Sequence, residues 1–240
     1  MIKIKGVDKF FGKDHVLNNV QLTFDRGKCI GIIGPNGCGK TTMMKCILGL
    51  VVPTKGKIFF NDIDISGSTD YRNDIGYMPQ IGRYPENMTI GNIIIMLKNL
   101  RQYKHKLDEQ LFFEFGLDKM LDKKLGTLSG GTTQKLSATL AFLFDPKVLI
   151  LDEPTAGLDP LSSELLRFKI LKEVEKGKLI LITSHLLSEL DDLITEVVFM
   201  QDGNVKFHHH VNELMALTGQ QKISNSIASI LKKYRDEQNN

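Results

Sequence analysis

The residues from Gly34 to Thr42, GPNGCGKTT, combine a glycine-freed backbone with a lysine and hydroxyls. They follow an apolar run, Cys29 to Ile33, that reads as a buried strand. Gly34 and Gly39 bracket four residues and are followed directly by Lys40 and Thr41, the spacing of a phosphate-binding loop. Glycine lets the loop through Pro35, Asn36, Gly37 and Cys38 turn its N–H groups inward on an anion. Lys40 adds a point charge for β- and γ-phosphates, and the Thr41 hydroxyl is suited to Mg²⁺. Thr42 to Leu48 reads as a helix whose N-terminal partial charge favours the same phosphates. The ligand class implied is a nucleoside triphosphate with Mg²⁺.

Two later stretches could act on those phosphates. Val148 to Leu151 is a continuous apolar run ending in Asp152-Glu153-Pro154. An acidic pair after a strand is by itself only a solvated loop. Downstream of a phosphate loop, Asp152 can reach the Mg²⁺ shell and Glu153 can orient or deprotonate a water attacking the γ-phosphate. Leu128-Ser129-Gly130-Gly131-Thr132 opens a helix, where Ser129 and two glycines expose backbone donors suited to an anion or simply to capping the helix.

Such residues need a largely parallel sheet to carry them. Ile2 to Lys5 and Val20 to Phe24 alternate as strands, and Asp25-Arg26-Gly27 turns the chain into the strand before the phosphate loop. Phe10 and Phe11 lie between them; an aromatic there could stack on adenine or fill a core. Lys57 to Phe60 reads as an antiparallel addition, and Tyr77-Met78-Pro79-Gln80 ends another strand. Between residues 82 and 145 strand-like alternation almost vanishes. Thr89 can cap a helix to about Leu100 with Ile90, Ile93, Ile94 and Leu97 on one stripe, and Leu107 to Phe115 continues helical, so this segment reads as a helical insert. Ser162 to Glu175 reads as a helix and Leu179 to Ile182 as a buried strand ending in Thr183-Ser184-His185. Val197 to Met200 with Val205 to Phe207 makes a hairpin. The spacing of Ile223, Ile227, Ile230, Leu231 and Tyr234 predicts an amphipathic helix, packed on its own domain, in a tail from residue 219 to 240.

At 240 residues and a formal charge of +3, with both signs well mixed, the chain carries neither a nucleic-acid-binding tract nor an acidic tail. Cys29, Cys38 and Cys46 lack metal-ligand spacing and suit a reducing compartment; Cys38, inside the loop, is expected to be reachable by a thiol reagent. His208-His209-His210 alternate faces on a strand, which predicts an exposed strand end rather than a copper site. No export signal is visible, and the apolar runs fall far short of the roughly 20 residues a membrane helix needs, so no direct membrane insertion is expected.

Taken in order, the phosphate loop Gly34 to Thr42, Gln80, Leu128 to Thr132, Asp152-Glu153, Ala156-Gly157-Leu158-Asp159 and His185 give the chain a close resemblance to one family. From residue 1 to about 210 it resembles the nucleotide-binding subunit of an ATP-binding-cassette (ABC) transporter. The resemblance implies an α/β fold: a P-loop NTPase with a RecA-like core, an antiparallel β-subdomain, and a helical subdomain at about 82–145 within a domain spanning 1–218. It also implies that Phe11 stacks on adenine, although tyrosine is commoner there. Lys40 with the Gly37 and Gly39 amides would hold the phosphates of ATP, and Thr41, Gln80 and Asp152 would surround Mg²⁺. Glu153 would be the general base, Gln80 would sense the attacking water, and His185 would contact the γ-phosphate. Ser129, Gly130 and Gly131 of one subunit would close over ATP held by a second, in a head-to-tail homodimer whose interface Asp159 also crosses.

Position 132 is Thr where the family has Gln, followed by Thr133, Gln134 and Lys135, which alters the hydrogen bonds beside the ribose. SGGTTQKLSATLAFLFDP with LDEPTAGLDP is similar to the ATPases of ABC-2 type exporters, closest to those serving copper-site maturation of nitrous oxide reductase. The expected protein is a cytoplasmic ATPase, peripheral on the inner face of the cell membrane, that drives a separate transmembrane permease through the helical segment. A soluble cassette scaffold, as in iron–sulfur cluster biogenesis, or a translation factor would use the same ATP switch without a permease.

Overall fold

The structure, a computed structural model, describes residues 1–101, 106–184 and 192–238. Its strands form two sheets. β1 (Ile2–Phe11) and β2 (Asp14–Phe24) pair antiparallel, and β3 (Cys29–Ile33) leads through the phosphate loop into α1 (Lys40–Ile47). β4 (Lys55–Phe60) and β5 (Ile63–Asp64) complete an antiparallel sheet in the order β2-β1-β4-β5. β6 (Ile75–Met78) begins the second sheet, which after three helices gains β7 (Val148–Asp152), β8 (Leu179–Thr183), β9 (Glu196–Gln201) and β10 (Asn204–His210). Its order is β10-β9-β3-β8-β7-β6, with β3 parallel to both neighbours and only β10 antiparallel.

Every residue of β3, β7 and β8 is buried, because layers cover both faces of this sheet. The period of two then sorts them. Ile30, Ile32, Val148, Ile150, Leu179 and Leu181 face the antiparallel sheet and α1, in one core with Ile4, Phe24 and Met43. Cys29, Ile33, Leu149, Leu151, Ile180 and Ile182 face a second core with Leu136, Phe142, Leu166 and Ile170. The strand ends at the phosphate loop, Asp152 and Thr183 thus emerge side by side.

β1 and β2 run further than alternation predicts. Register shifts between Ile4 and Val7, Val7 and Lys9, and Lys9 and Phe10 break the period of two, and Asn19 sits at φ 46 within β2. Between β6 and β7 the chain forms α2 (Ile90–Arg101), α3 (Gln110–Glu114) and α4 (Gly130–Phe142). Thr89 caps α2: its Oγ1 accepts from the Asn92 N–H at 3.1 Å, while Asn92 Oδ1 accepts from the Thr89 N–H at 3.2 Å. α3 is much shorter than the predicted Leu107–Phe115 helix. Asp108 accepts from the Gln110 N–H at 3.3 Å and pairs with Lys169, which holds the preceding residues outside the helix.

α5 (Pro160–Glu175) starts on Asp159, and α6 (Val211–Thr218) and α7 (Ile223–Gln238) follow β10. Ile223 and Ile227 of α7 are buried in the same core as Leu214 and Phe207, so the C-terminal helix packs on its own chain. The three histidines do alternate. His208 Nε2 and His210 Nε2 lie 2.8 and 3.3 Å from the carboxylate of buried Glu196, which Lys28 also meets at 3.1 Å, while His209 stacks on Phe207. The His208 and His210 end of the strand is therefore tied to Glu196 by close polar contacts rather than simply exposed.

A buried ion cluster joins α5 to the chain around α3. Glu173 is fully buried; its Oε1 accepts from Lys169 at 2.9 Å and Lys176 at 2.8 Å, Lys178 pairs with its other oxygen, and Lys169 also reaches Asp108. Burial alone pushes the Glu173 carboxyl up, but hydrogen bonds from Lys176, Lys178 and Lys169 outweigh it and hold the pKa at about 2, below the ordinary 4.5. A depressed folded-state pKa gives stability that is present above pH 4.5 and lost as pH falls towards 2. Glu173→Gln removes the one buried anion that Lys169, Lys176 and Lys178 share, and we expect a loss of about 3 kcal/mol at pH 7. For a chain of this size that corresponds to a Tm lower by roughly 10 °C. In thermal melts across pH the variant should also lose part of the wild-type decline between those two values. An unchanged Tm at pH 7 would show that the cluster stabilises nothing.

Candidate functional site

The phosphate loop is shaped by glycines that tolerate no replacement. Gly39, at φ 103, is the residue on which α1 begins, and a Cβ there would lie 2.7 Å from the Val16 carbonyl oxygen. At Gly34 a Cβ would lie 2.1 Å from the Met200 oxygen. α1 has no side-chain cap and no acidic residue in its first turn, so its leading N–H groups are left to a ligand from outside the helix. Lys40 is buried and its Nζ donates to the carbonyls of Gly34 at 2.7 Å and Pro35 at 3.1 Å, which keeps the ammonium over the loop. An uncapped helix start beneath a loop-held ammonium fits a polyphosphate anion.

Cys38 corrects one expectation. The thiol is buried, packed against the position of Gly34 and 3.9 Å from Lys40 Nζ, and burial raises its pKa even though Lys40 pulls the other way. It is a protonated part of the loop's interior rather than a reagent-accessible nucleophile.

A cleft of about 410 Å³ joins the loop to the strand ends. Asn36, Gly37, Gly39, Lys40, Thr41 and Thr42 line one side, and Gln80, Asp152 and Glu153 the other. Asp152 is buried, with Oδ1 accepting from the Thr183 hydroxyl at 2.5 Å, and burial together with that carboxylate raises the pKa of the Tyr77 phenol on the neighbouring strand. Thr41, Gln80 and Asp152 supply a hydroxyl, an amide and a carboxylate to the same cleft, a hard oxygen set suited to Mg²⁺. Glu153 stands at φ 52, a left-handed conformation uncommon for a residue with a side chain. Its N–H is held by the Thr183 carbonyl at 3.2 Å and the Thr183 hydroxyl at 3.1 Å.

Phe11 is half exposed beneath the Lys9 ammonium, 4.8 Å from its ring centre, and Val16, not Phe11, borders the cleft. Val16 and Thr183 were not singled out from sequence. Val16 lies in the polar first half of β2, where alternation gives no strand signal, and Thr183 marks only the end of an apolar run. Ser129, Gly130, Gly131 and Asp159 do not line this cleft. Ser129 caps α4 through its Oγ, which accepts from the Thr132 N–H at 3.3 Å and lies 2.8 Å from the Thr132 hydroxyl; the unusual threonine thus braces the serine. Asp159 accepts from the Ser162 N–H at 2.9 Å and pairs with Lys135 at 2.7 Å, and the Lys135 hydrogen bond leads in holding its carboxyl far below the usual range. His185 lies outside the described residues.

A mostly parallel sheet with a glycine loop at one strand end and an acidic pair at another defines a P-loop NTPase. Comparison with known proteins narrows the class. Residues 17–156 match the family described as ABC transporter. The chain is 34% identical over 207 residues to the Nod factor export ATP-binding protein I of Burkholderia lata, covering 84% of this chain and 68% of that protein. Its fold superimposes on the ATP binding subunit of an ABC transporter with a TM-score of 0.88 at 27% identity, covering 96% of this chain and 99% of that one. It also superimposes on a dimeric cassette in a post-hydrolysis state bound to ADP and Pi, with a TM-score of 0.77 at 25% identity and coverages of 88% and 98%. The chain belongs to the ABC transporter family and is an ATP-binding, ATP-hydrolysing subunit of the cassette type. Among the described residues no helix is long and apolar enough to cross a membrane.

Proposed function

We propose that two copies of this chain clasp two ATP molecules head to tail and that their hydrolysis drives a separate transmembrane permease. The observation that carries this reading is a division of labour. One cleft gathers the phosphate loop, Gln80, Asp152 and Glu153, whereas the Ser129 turn at the start of α4 lies outside it. In the proposed dimer, Ser129, Gly130 and Gly131 complete the partner's cleft. The loop amides and Lys40 bind the phosphates, Phe11 lies against adenine, and Thr41, Gln80 and Asp152 hold Mg²⁺, which when bound neutralises charge developing on the transferred phosphoryl group. Glu153 takes the proton of the attacking water, Gln80 orients that water, and His185 donates to the γ-phosphate. Asp159 approaches the same interface.

The permease would dock beside Gln80. A groove of about 340 Å³ there is lined by Leu48, Tyr77, Pro79, Tyr84, Leu97 and Arg101, and Leu50, Ile81 and Leu100 are exposed nearby. Through that partner the chain would sit at the inner face of the membrane. The Nod factor export relative favours an exporter. Within that class the 129–146 and 151–160 sequences support the ABC-2 type systems of nitrous oxide reductase maturation. Expressed with a polytopic membrane protein that serves as its permease, the chain should sediment with membranes, and without that protein it should not. Sedimentation independent of any membrane partner, with soluble proteins co-purifying, would favour an assembly scaffold instead. Copper-loaded nitrous oxide reductase in a strain lacking this chain would end the narrower reading.

A further inference from the structure

Three contacts join the first turns of α4 to the turn that carries Glu153 and Asp159 in the same chain. Gly131 abuts the Gly157 carbonyl, whose oxygen a Cβ at 131 would meet at 3.0 Å. Lys135 holds Asp159 at 2.7 Å. Gln134, itself 5% exposed, donates its side-chain amide to the Glu153 carbonyl at 3.4 Å, an oxygen that also accepts from the Ala156 N–H at 3.2 Å. Glu153 needs such holding, because its left-handed φ of 52 is disfavoured for a side chain with a Cβ. Thr183 fixes its N–H from one side and Gln134 its C=O from the other.

We infer that Gln134 is a positioning residue that makes the orientation of Glu153 depend on the position of its own chain's Ser129 turn. This rests on the dimer reading above. In that dimer the Ser129 turn touches the partner's ATP while Glu153 faces the chain's own, so docking at one site is transmitted over a few residues to the base of the other. The two hydrolytic events are thereby coupled within each chain, through α4, as well as across the interface. The element biased is the turn 153–159, held on one side by β8 and on the other by α4.

Gln134→Met keeps the buried volume and removes the donor. It should lower kcat by about tenfold, leave KM for ATP within about twofold, and bring the Hill coefficient for ATP from near two towards one. Gln134→Glu supplies a second readout that survives any folding defect of the methionine variant. Its carboxylate repels the Glu153 carbonyl, whereas the neutral acid donates to it, so its kcat should fall with rising pH on an ionisation absent from wild type. Combined with Glu153→Gln, Gln134→Met should still form the ATP-bound dimer. Wild-type kcat and cooperativity in the methionine variant, or a loss in the glutamate variant that is flat in pH, would overturn the assignment. So would failure of the double variant to dimerise where Glu153→Gln alone succeeds. The pH profile reads the tie to the base even if Glu153→Gln alone does not dimerise, an outcome that would strike the dimer reading instead.

Discussion

Glu153→Gln is expected to cut ATP turnover by roughly a thousandfold while leaving ATP binding intact and trapping an ATP-bound dimer. The amide has nearly the shape of the carboxylate, so the hydrogen bonds that the residue 153 N–H donates to the Thr183 hydroxyl and carbonyl, which hold it in its left-handed conformation, persist. What disappears is the ability to take a proton from the attacking water. Lys40, Thr41 and Asp152 all remain in the cleft, so the proposed ground-state grip on the phosphates should be unaltered. KM or the binding constant for ATP should therefore stay within a few-fold of wild type while kcat collapses, the pattern of an interaction used in the transition state. The trapped dimer follows from the same separation: in the proposed dimer a clasp made by two triphosphates would open when they are cleaved, and an uncleaved pair would keep it shut. Phosphate-release assays and size-exclusion chromatography with Mg-ATP read the two effects independently. A Glu153→Gln enzyme that still turns over would move the base to another residue. One that neither turns over nor binds ATP would mean that Glu153 is structural.

The parts of the site legible in the sequence are those whose chemistry is local. The loop from Gly34 to Thr42 must have its glycines, lysine and hydroxyl at fixed spacing to wrap an anion, and β7 and β8 announce themselves because a strand covered on both faces is apolar throughout. What sequence concealed depends on partners far along the chain. The short α3 reflects Asp108 meeting Lys169, and the tethering of His208 and His210 reflects a carboxylate at Glu196. Cys38 is buried because Met200 and Gly34 close over the loop, which periodicity does not express. Thr183 and Gln134 brace Glu153 through a few hydrogen bonds from elements 30 and 19 residues away, and neither residue type is unusual in its own segment.

A mixing experiment should show whether the Ser129 turn serves its own cleft or a partner's. Lys40→Ala removes the loop's charge, and Ser129→Asp sets a carboxylate against the γ-phosphate. Aspartate also caps helices well, so α4 should start as before and the loss should not be one of folding. Each variant alone should lose about a hundredfold or more in ATPase rate, the scale of removing one donor to a developing oxyanion. In a head-to-tail dimer the two lesions of a Lys40→Ala chain paired with a Ser129→Asp chain fall on the same composite site, and the other site is wild type in both its halves. An equal mixture, half of it mixed dimers with one good site each, should regain up to about a quarter of wild-type activity. A chain carrying both substitutions, mixed equally with wild type, places one lesion in each site of every mixed dimer, so only the wild-type dimers, about a quarter of the total, stay active and this mixture too should give about a quarter of wild-type activity. If each chain used its own Ser129, the first mixture would stay dead and the second would keep the activity of its wild-type chains. Because the two mixtures contain the same residues in the same amounts, equal activities near a quarter of wild type mark a composite site, whereas none in the first against about a half in the second marks a site that each chain completes alone.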